Sequence, residues 1–180
     1  MRESNVWLGV LTLVICSTVF SANANATNEN NLLIKEEVRS ATPQVAFLVS
    51  KEKILEKYEN SHKLTNEQLI ELLKAVGFNG AALRSACAIA MAETNGRPHA
   101  FNGNPNTGDR SYGMFQINMI GDLGPDRRER FELDSNSELF NPVKNAQIAH
   151  HMTKGGKDWS AWTTLNGPRY KEWYNKYPCI

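Results

Sequence analysis

Apolar residues recur at helical spacing along much of the chain, most regularly after Thr65. Leu69, Leu72, Leu73 and Val76 follow the i, i+3, i+4, i+7 spacing of an amphipathic helix. Thr65 with Gln68 three residues later forms a capping-box pattern, Leu64 and Leu69 can staple the entry, and Gly77 marks the stop. Asn79-Gly80 then opens a second helix, Ala81 to about Glu93, rich in alanine. Small side chains let neighbouring helices approach closely, which predicts a central, buried helix. It should end at Asn95-Gly96, because Pro98 forbids its continuation. Upstream, Thr42-Pro43 reads as a start, with Val45, Leu48, Val49 and Leu55 on one stripe and Lys and Glu between them. This predicts a satellite helix packed on the main domain, with nothing in it that suggests chemistry.

Beyond the central helix the pattern changes. From Asn102 to Gly113 turn-forming residues dominate, which predicts a β-hairpin or a small sheet of short strands. Met114 to Ile117 returns to apolar alternation. Asn141-Pro142 starts another helix, with Asn as cap and Pro at the first helical position, expected to end at Gly155-Gly156. The adjacent His150-His151 pair should cap the polar side of that helix end. The tail carries Trp159, Trp162, Tyr170, Trp173, Tyr174 and Tyr177, with Trp159 and Trp173 expected in the core. No internal repeat is present. The predicted class is α+β, predominantly helical, with one small β element after the central helix.

The N-terminus sets the compartment. Val6 to Phe20 is an apolar run behind a weakly positive start, followed by small-x-small cleavage sites ending at Ala24 and Ala26. This is the layout of a secretory signal peptide, and the run is shorter than the ~20 residues a membrane span needs. The expected organisation is a signal peptide over 1–26, a polar tether and satellite helix over 27–60, and one domain over 61–180. The protein is therefore expected to be secreted or periplasmic. Cys16 leaves with the signal, and the remaining Cys87 and Cys179 are expected to form one disulfide in an oxidising compartment. No Cys-x-x-Cys or His-x-x-x-His spacing exists, so neither a metal site nor a cofactor is expected. The 180 residues are 41% hydrophobic and carry 20 Lys+Arg against 19 Asp+Glu, which argues against a disordered polyelectrolyte and a dedicated nucleic-acid binder.

Glu93 carries the first chemical signal. It ends an apolar helix just before a glycine-containing turn, where desolvation and the negative end of the helix dipole should both raise its pKa. A carboxyl held protonated near neutral pH can act as a general acid; a solvated helix-end glutamate is the plain alternative. Sixteen residues later comes Asp109, within Gly108-Asp109-Arg110-Ser111-Tyr112-Gly113-Met114-Phe115-Gln116-Ile117-Asn118.

This order resembles the lysozyme superfamily, and most of all the goose-type lysozymes and soluble lytic transglycosylases. Ala92-Glu93-Thr94 is similar to their Glu followed by a small hydroxyl residue, and Gly113-Met114-Phe115-Gln116 to their Gly-Leu-Met-Gln. Gly108-Asp109-Arg110 is similar to the Gly-Asp-Arg of the goose type, and Asn166-Gly167 stands where transglycosylases carry Ala-Tyr-Asn-Ala-Gly. The resemblance covers roughly residues 65 to 175. It implies a lysozyme-like fold, in which the central helix supplies the acid and the hairpin forms the facing wall of a sugar-binding cleft. Three departures stand out. Leu165 replaces the expected Tyr before Asn166, losing a hydroxyl that could hold Glu93 or the sugar. Asn118 stands where the goose type carries a second Asp. In the register of the animal c-type lysozymes, Ser111 falls on the second carboxylate position, with Asp109 two residues earlier.

The implied activity is cleavage of the β-1,4 bond between N-acetylmuramic acid and N-acetylglucosamine. Hydrolysis uses a second carboxylate to activate water, for which Asp109 is the candidate and a turn-capping aspartate the alternative. In a lytic transglycosylase the resemblance implies that Glu93 alone does both jobs and closes a 1,6-anhydro ring. The sequence leans slightly towards hydrolysis. A non-catalytic glycan-binding module on the same fold is the reading from another class. Thr94, Ser111, Gln116, Asn118 and Asn166 are candidate sugar contacts. Tyr112, Trp162 and Tyr170 could stack on pyranose faces or pack in the core. The expected partner is a peptidoglycan glycan strand, with no nucleic acid, no stable membrane insertion and a monomeric chain.

Overall fold

A computed structural model of the chain describes residues 43–104 and 106–176. The expected signal peptide and tether, Cys16, Tyr177 and Cys179 lie outside the described residues. Among the described residues are six α-helices and one three-stranded sheet.

Helix α1 spans Pro43–Tyr58, α2 Asn66–Val76 and α3 Gly80–Thr94. The capping box at the start of α2 forms as its sequence dictates: Thr65 accepts from the Gln68 backbone and Gln68 accepts from that of Thr65. Leu69, Leu72, Leu73 and Val76 are buried, and Gly77 closes the helix. In α1 the stripe is turned relative to expectation. Val49 and Leu55 lie on the packed side with Ile54 and Tyr58, whereas Val45 and Leu48 are each 48% exposed. Tyr58, at the C-terminal end, is the residue that seats fully and shares Glu71 of α2 with Lys57.

Helix α3 is the central element. Ala86, Cys87, Ala88, Ile89 and Ala90 are wholly buried, as their small or apolar side chains predict. Each large apolar residue here, such as Leu83 or Ile89, contributes about 1.5–3 kcal/mol through burial. The helix ends because Asn95 adopts the left-handed conformation (φ 56°), with its N–H returning to the Met91 carbonyl and the Gly96 N–H to that of Ala90.

The sheet has three two-residue strands in the order β1 (Phe101–Asn102), β2 (Ser111–Tyr112), β3 (Ile117–Asn118), all antiparallel. Its register aligns Asn102, Ser111 and Asn118 in one row and Phe101, Tyr112 and Ile117 in the next. Directly paired residues share a face, so one side of the sheet is polar and the other apolar. A short α4 (Leu123–Arg130) and a 3-10 turn (Asn136–Phe140) follow.

Helix α5 (Pro142–Met152) starts as expected, with Asn141 accepting from the N–H groups of Val143 and Lys144. It stops before Gly155-Gly156 because the Thr153 hydroxyl caps its last turn, bonding the Ala149 carbonyl at 2.8 Å. His150 does not cap a polar end: its ring packs edge-on against Phe78, and burial lowers its pKa. Helix α6 (Pro168–Lys176) lies along α3, the most extensive helix pairing in the described chain. Trp159 is in the core, and Trp173 is half-buried against it. No helix among the described residues is long and apolar enough to cross a membrane.

Candidate active site

Glu93 occupies the last turn of α3, the one acidic residue of a helix otherwise given over to packing. It is half-buried, and desolvation raises its pKa above the usual carboxylate value. The Thr164 hydroxyl donates to Oε1 at 2.7 Å and opposes that rise by favouring the ionised form. The negative charge of Asp109 raises the pKa further, and Arg169 on α6 opposes it; the net shift is upward. Arg169 itself is anchored at the end of α3 by bonds to the Met91 carbonyl and the Asn95 side chain.

Asp109 stands in the loop joining β1 to β2. Asn102 donates to Oδ2 and Ser111 to Oδ1, each at 2.7 Å, so the carboxylate bridges the paired residues of both strands. This seats it over the polar face of the sheet. The structure therefore places two carboxylates in electrostatic reach of each other, one from the helix end and one from the hairpin.

What holds the helix end against the sheet is Thr94. It is buried, and its hydroxyl lies 3.2 Å from the Ala90 carbonyl and 3.1 Å from the Met114 carbonyl while accepting from the Arg97 N–H. The expected sugar contact is corrected: at 3% exposed, Thr94 clamps α3 to the β2–β3 turn and reaches no ligand.

That turn is fixed from beneath by Asn145 of α5, a residue absent from the sequence expectations. Wholly buried, it accepts from the Phe115 N–H and donates to the Tyr112 and Leu139 carbonyls, filling three bonds with one amide. Gly113 makes room for it. Its φ is +74°, and a Cβ there would fall 2.2 Å from Asn145 Nδ2 and 2.3 Å from the Leu139 carbonyl oxygen. Gly113 was legible as part of a motif; Asn145 was not, because a buried Asn in a helix leaves no mark in the hydropathy pattern.

The other expected contacts separate into two groups. Trp162 is 6% exposed with its indole N–H bonded to the Phe115 carbonyl at 2.7 Å, and Tyr170 is 8% exposed beside Ser85. Neither has a free ring face, so both belong to the core and not to a sugar platform. Gln116 is also corrected in part: its amide nitrogen donates to the Gly113 and Ala100 carbonyls and braces the turn. Ser111 is buried and directed at Asp109. Asn118 is half-buried, with Oδ1 accepting from the Ile120 N–H. Asn166 is exposed, with φ +65°, in the loop that carries Thr164. Tyr112 is half-buried between Phe101 and Phe140. Phe101, unremarked in the sequence, is 54% exposed beside it and is the more open ring.

Thr164 is the other residue that sequence reasoning missed. The hydroxyl expected from a Tyr at position 165 reaches Glu93 instead from the preceding residue. Leu165 turns inward and packs against the core. No group of three or more metal-ligating side chains occurs among the described residues.

A family model described as a lysozyme-like domain matches residues 70–164. That span runs from α2 through α3 and the sheet to Thr164. No curated protein and no solved structure matches the chain.

Proposed function

The chain belongs to the lysozyme-like domain family, and we propose that it is an exported peptidoglycan glycosidase cleaving between N-acetylmuramic acid and N-acetylglucosamine. The observation that carries this reading is the half-buried Glu93 at the end of α3, its pKa raised by desolvation and by the charge of Asp109. In this role Glu93 donates its proton to the glycosidic oxygen as the bond to the muramic acid C1 breaks. Asp109 takes a proton from water approaching the opposite face of the sugar, and the product is an ordinary reducing end with inverted configuration. Asn118 holds an N-acetyl group, Phe101 and Tyr112 line the glycan path, and Asn166 borders it. Export rests on the signal-peptide pattern of residues 1–26.

A second reading has an observation of its own. Both Asp109 oxygens already accept from Asn102 and Ser111, as suits an aspartate that only ties a hairpin together. Glu93 would then act alone and produce 1,6-anhydromuramic ends. Mass spectrometry of digested cell walls separates the two readings. Hydrolytic fragments are about 18 Da heavier, because water has been added. Under the hydrolytic reading, Asp109→Asn lowers lysis nearly as far as Glu93→Gln. Predominantly anhydro ends in the wild-type digest, with Asp109→Asn still active, would establish the transglycosylase instead.

A further inference from the structure

The bond between Thr164 and Glu93 joins distant parts of the chain, 71 residues apart. The loop that presents the hydroxyl is tightly folded. Trp162 is anchored to the Phe115 carbonyl, the Leu165 N–H returns to the Trp162 carbonyl, and the Gly167 N–H bonds the Thr164 carbonyl at 2.9 Å. Asn166 adopts the left-handed conformation to complete the turn. Thr164 is thus held by its own backbone and by a buried indole, and its side chain has one acceptor, Glu93 Oε1.

We propose that Thr164 is the positioning residue of Glu93, holding Oε1 as the accepting oxygen and so assigning the transferable proton to Oε2. This inference rests on Glu93 being the acid. A neutral carboxyl has one oxygen that bears hydrogen and one that only accepts. A donor fixed on Oε1 makes Oε2 the oxygen that carries the proton. The proton passes from Oε2 to the glycosidic oxygen, the electrons of its O–H bond remain on the carboxyl, and Glu93 becomes a carboxylate. The Thr164 bond then becomes charge-assisted and strengthens as charge develops. It stabilises the product of the proton transfer more than the resting acid, which is the condition for raising a rate and not merely binding substrate. The charged groups acting on Glu93 are Asp109 from the β1–β2 loop and Arg169 from α6. Neither makes a hydrogen bond to its carboxyl.

The test uses the intact exported protein with Thr164→Val, which keeps the shape and removes the hydroxyl, and with Thr164→Ser, which restores it. Thr164 is only half-buried, so both variants should fold; Thr164→Ala serves if the valine does not. In Thr164→Val the Glu93 carboxyl, followed by isotope-edited infrared titration, should titrate at higher pH than in wild type. The basic limb of the lysis profile should move the same way. The kcat should fall about tenfold, the scale of one hydrogen bond to a charged group, with KM little changed. Thr164→Ser should recover both. An unmoved titration in Thr164→Val, or a Thr164→Ser indistinguishable from the valine, overturns the assignment. If Glu93 is not the acid, Glu93→Gln will still lyse walls while the carboxyl titration responds to Thr164, so the two failures are distinguishable.

Discussion

At the scale of single residues, Glu93 combines burial and a like charge against one donor and one cation, and the sum favours the protonated form. The same balance links this group to stability. Because its folded pKa lies above the unfolded value of 4.5, the folded state binds the proton more tightly than the unfolded chain. The resulting stabilisation is fully present below 4.5 and is lost as pH rises through the folded value. Glu93→Gln has no charge to desolvate. It should therefore melt above wild type at neutral pH, with the advantage vanishing below the unfolded pKa, while lysis falls about 10²–10⁴-fold. Melting curves at the two pH values check the sign. An advantage that persists in acid would mean that the glutamine gains by packing and not by removing an ionisation.

At the scale of elements, the site depends on the β2–β3 turn, which is held by buried polar bonds more than by its two-residue strands. Asn145→Ala would strip partners from the Phe115 N–H and from the Tyr112 and Leu139 carbonyls. The expected cost is about 3 kcal/mol, the price of several buried groups left unpaired, read as a lower denaturation midpoint. Gly113→Ala should cost a similar ~2–3 kcal/mol, from overpacking and from its positive φ. Near-wild-type midpoints in both would show that the turn has another support. Elements with strong local signals were legible in the sequence: the Thr65 capping box, the alanine-rich α3 with its Asn95-Gly96 stop, and the Asn141-Pro142 start. Helix α4 was not, because Leu123–Arg130 is mostly charged and has no apolar stripe to read. In the site, the position of Glu93 was legible, since it follows from helix periodicity. Its partner Thr164 was not, because pairing across 71 residues is set by tertiary packing.

At the scale of the molecule, α6 packs back along the helix that bears Glu93. Along α6, Tyr170 meets Ser85, and the Tyr174 carbonyl accepts from Arg84 Nε at 2.6 Å with the guanidinium over its ring. Cys87 lies one turn beyond Arg84 and is wholly buried, and Cys179 follows the end of α6 by three residues. The disulfide expected between these two cysteines would tie the C-terminal segment to α3. Closing a loop of 92 residues in this way would contribute about 4–5 kcal/mol in the chain-entropy treatment, an upper figure if the unfolded chain is compact. Cys87→Ala and Cys179→Ala should each lower the melting temperature, and the double variant should be little worse than Cys87→Ala, because one bond is lost in every case. Intact mass before and after alkylation without reductant counts the thiols directly. Alkylation of both Cys87 and Cys179 in the mature protein would show that they are not bonded to each other, and additive losses in the double variant would point the same way.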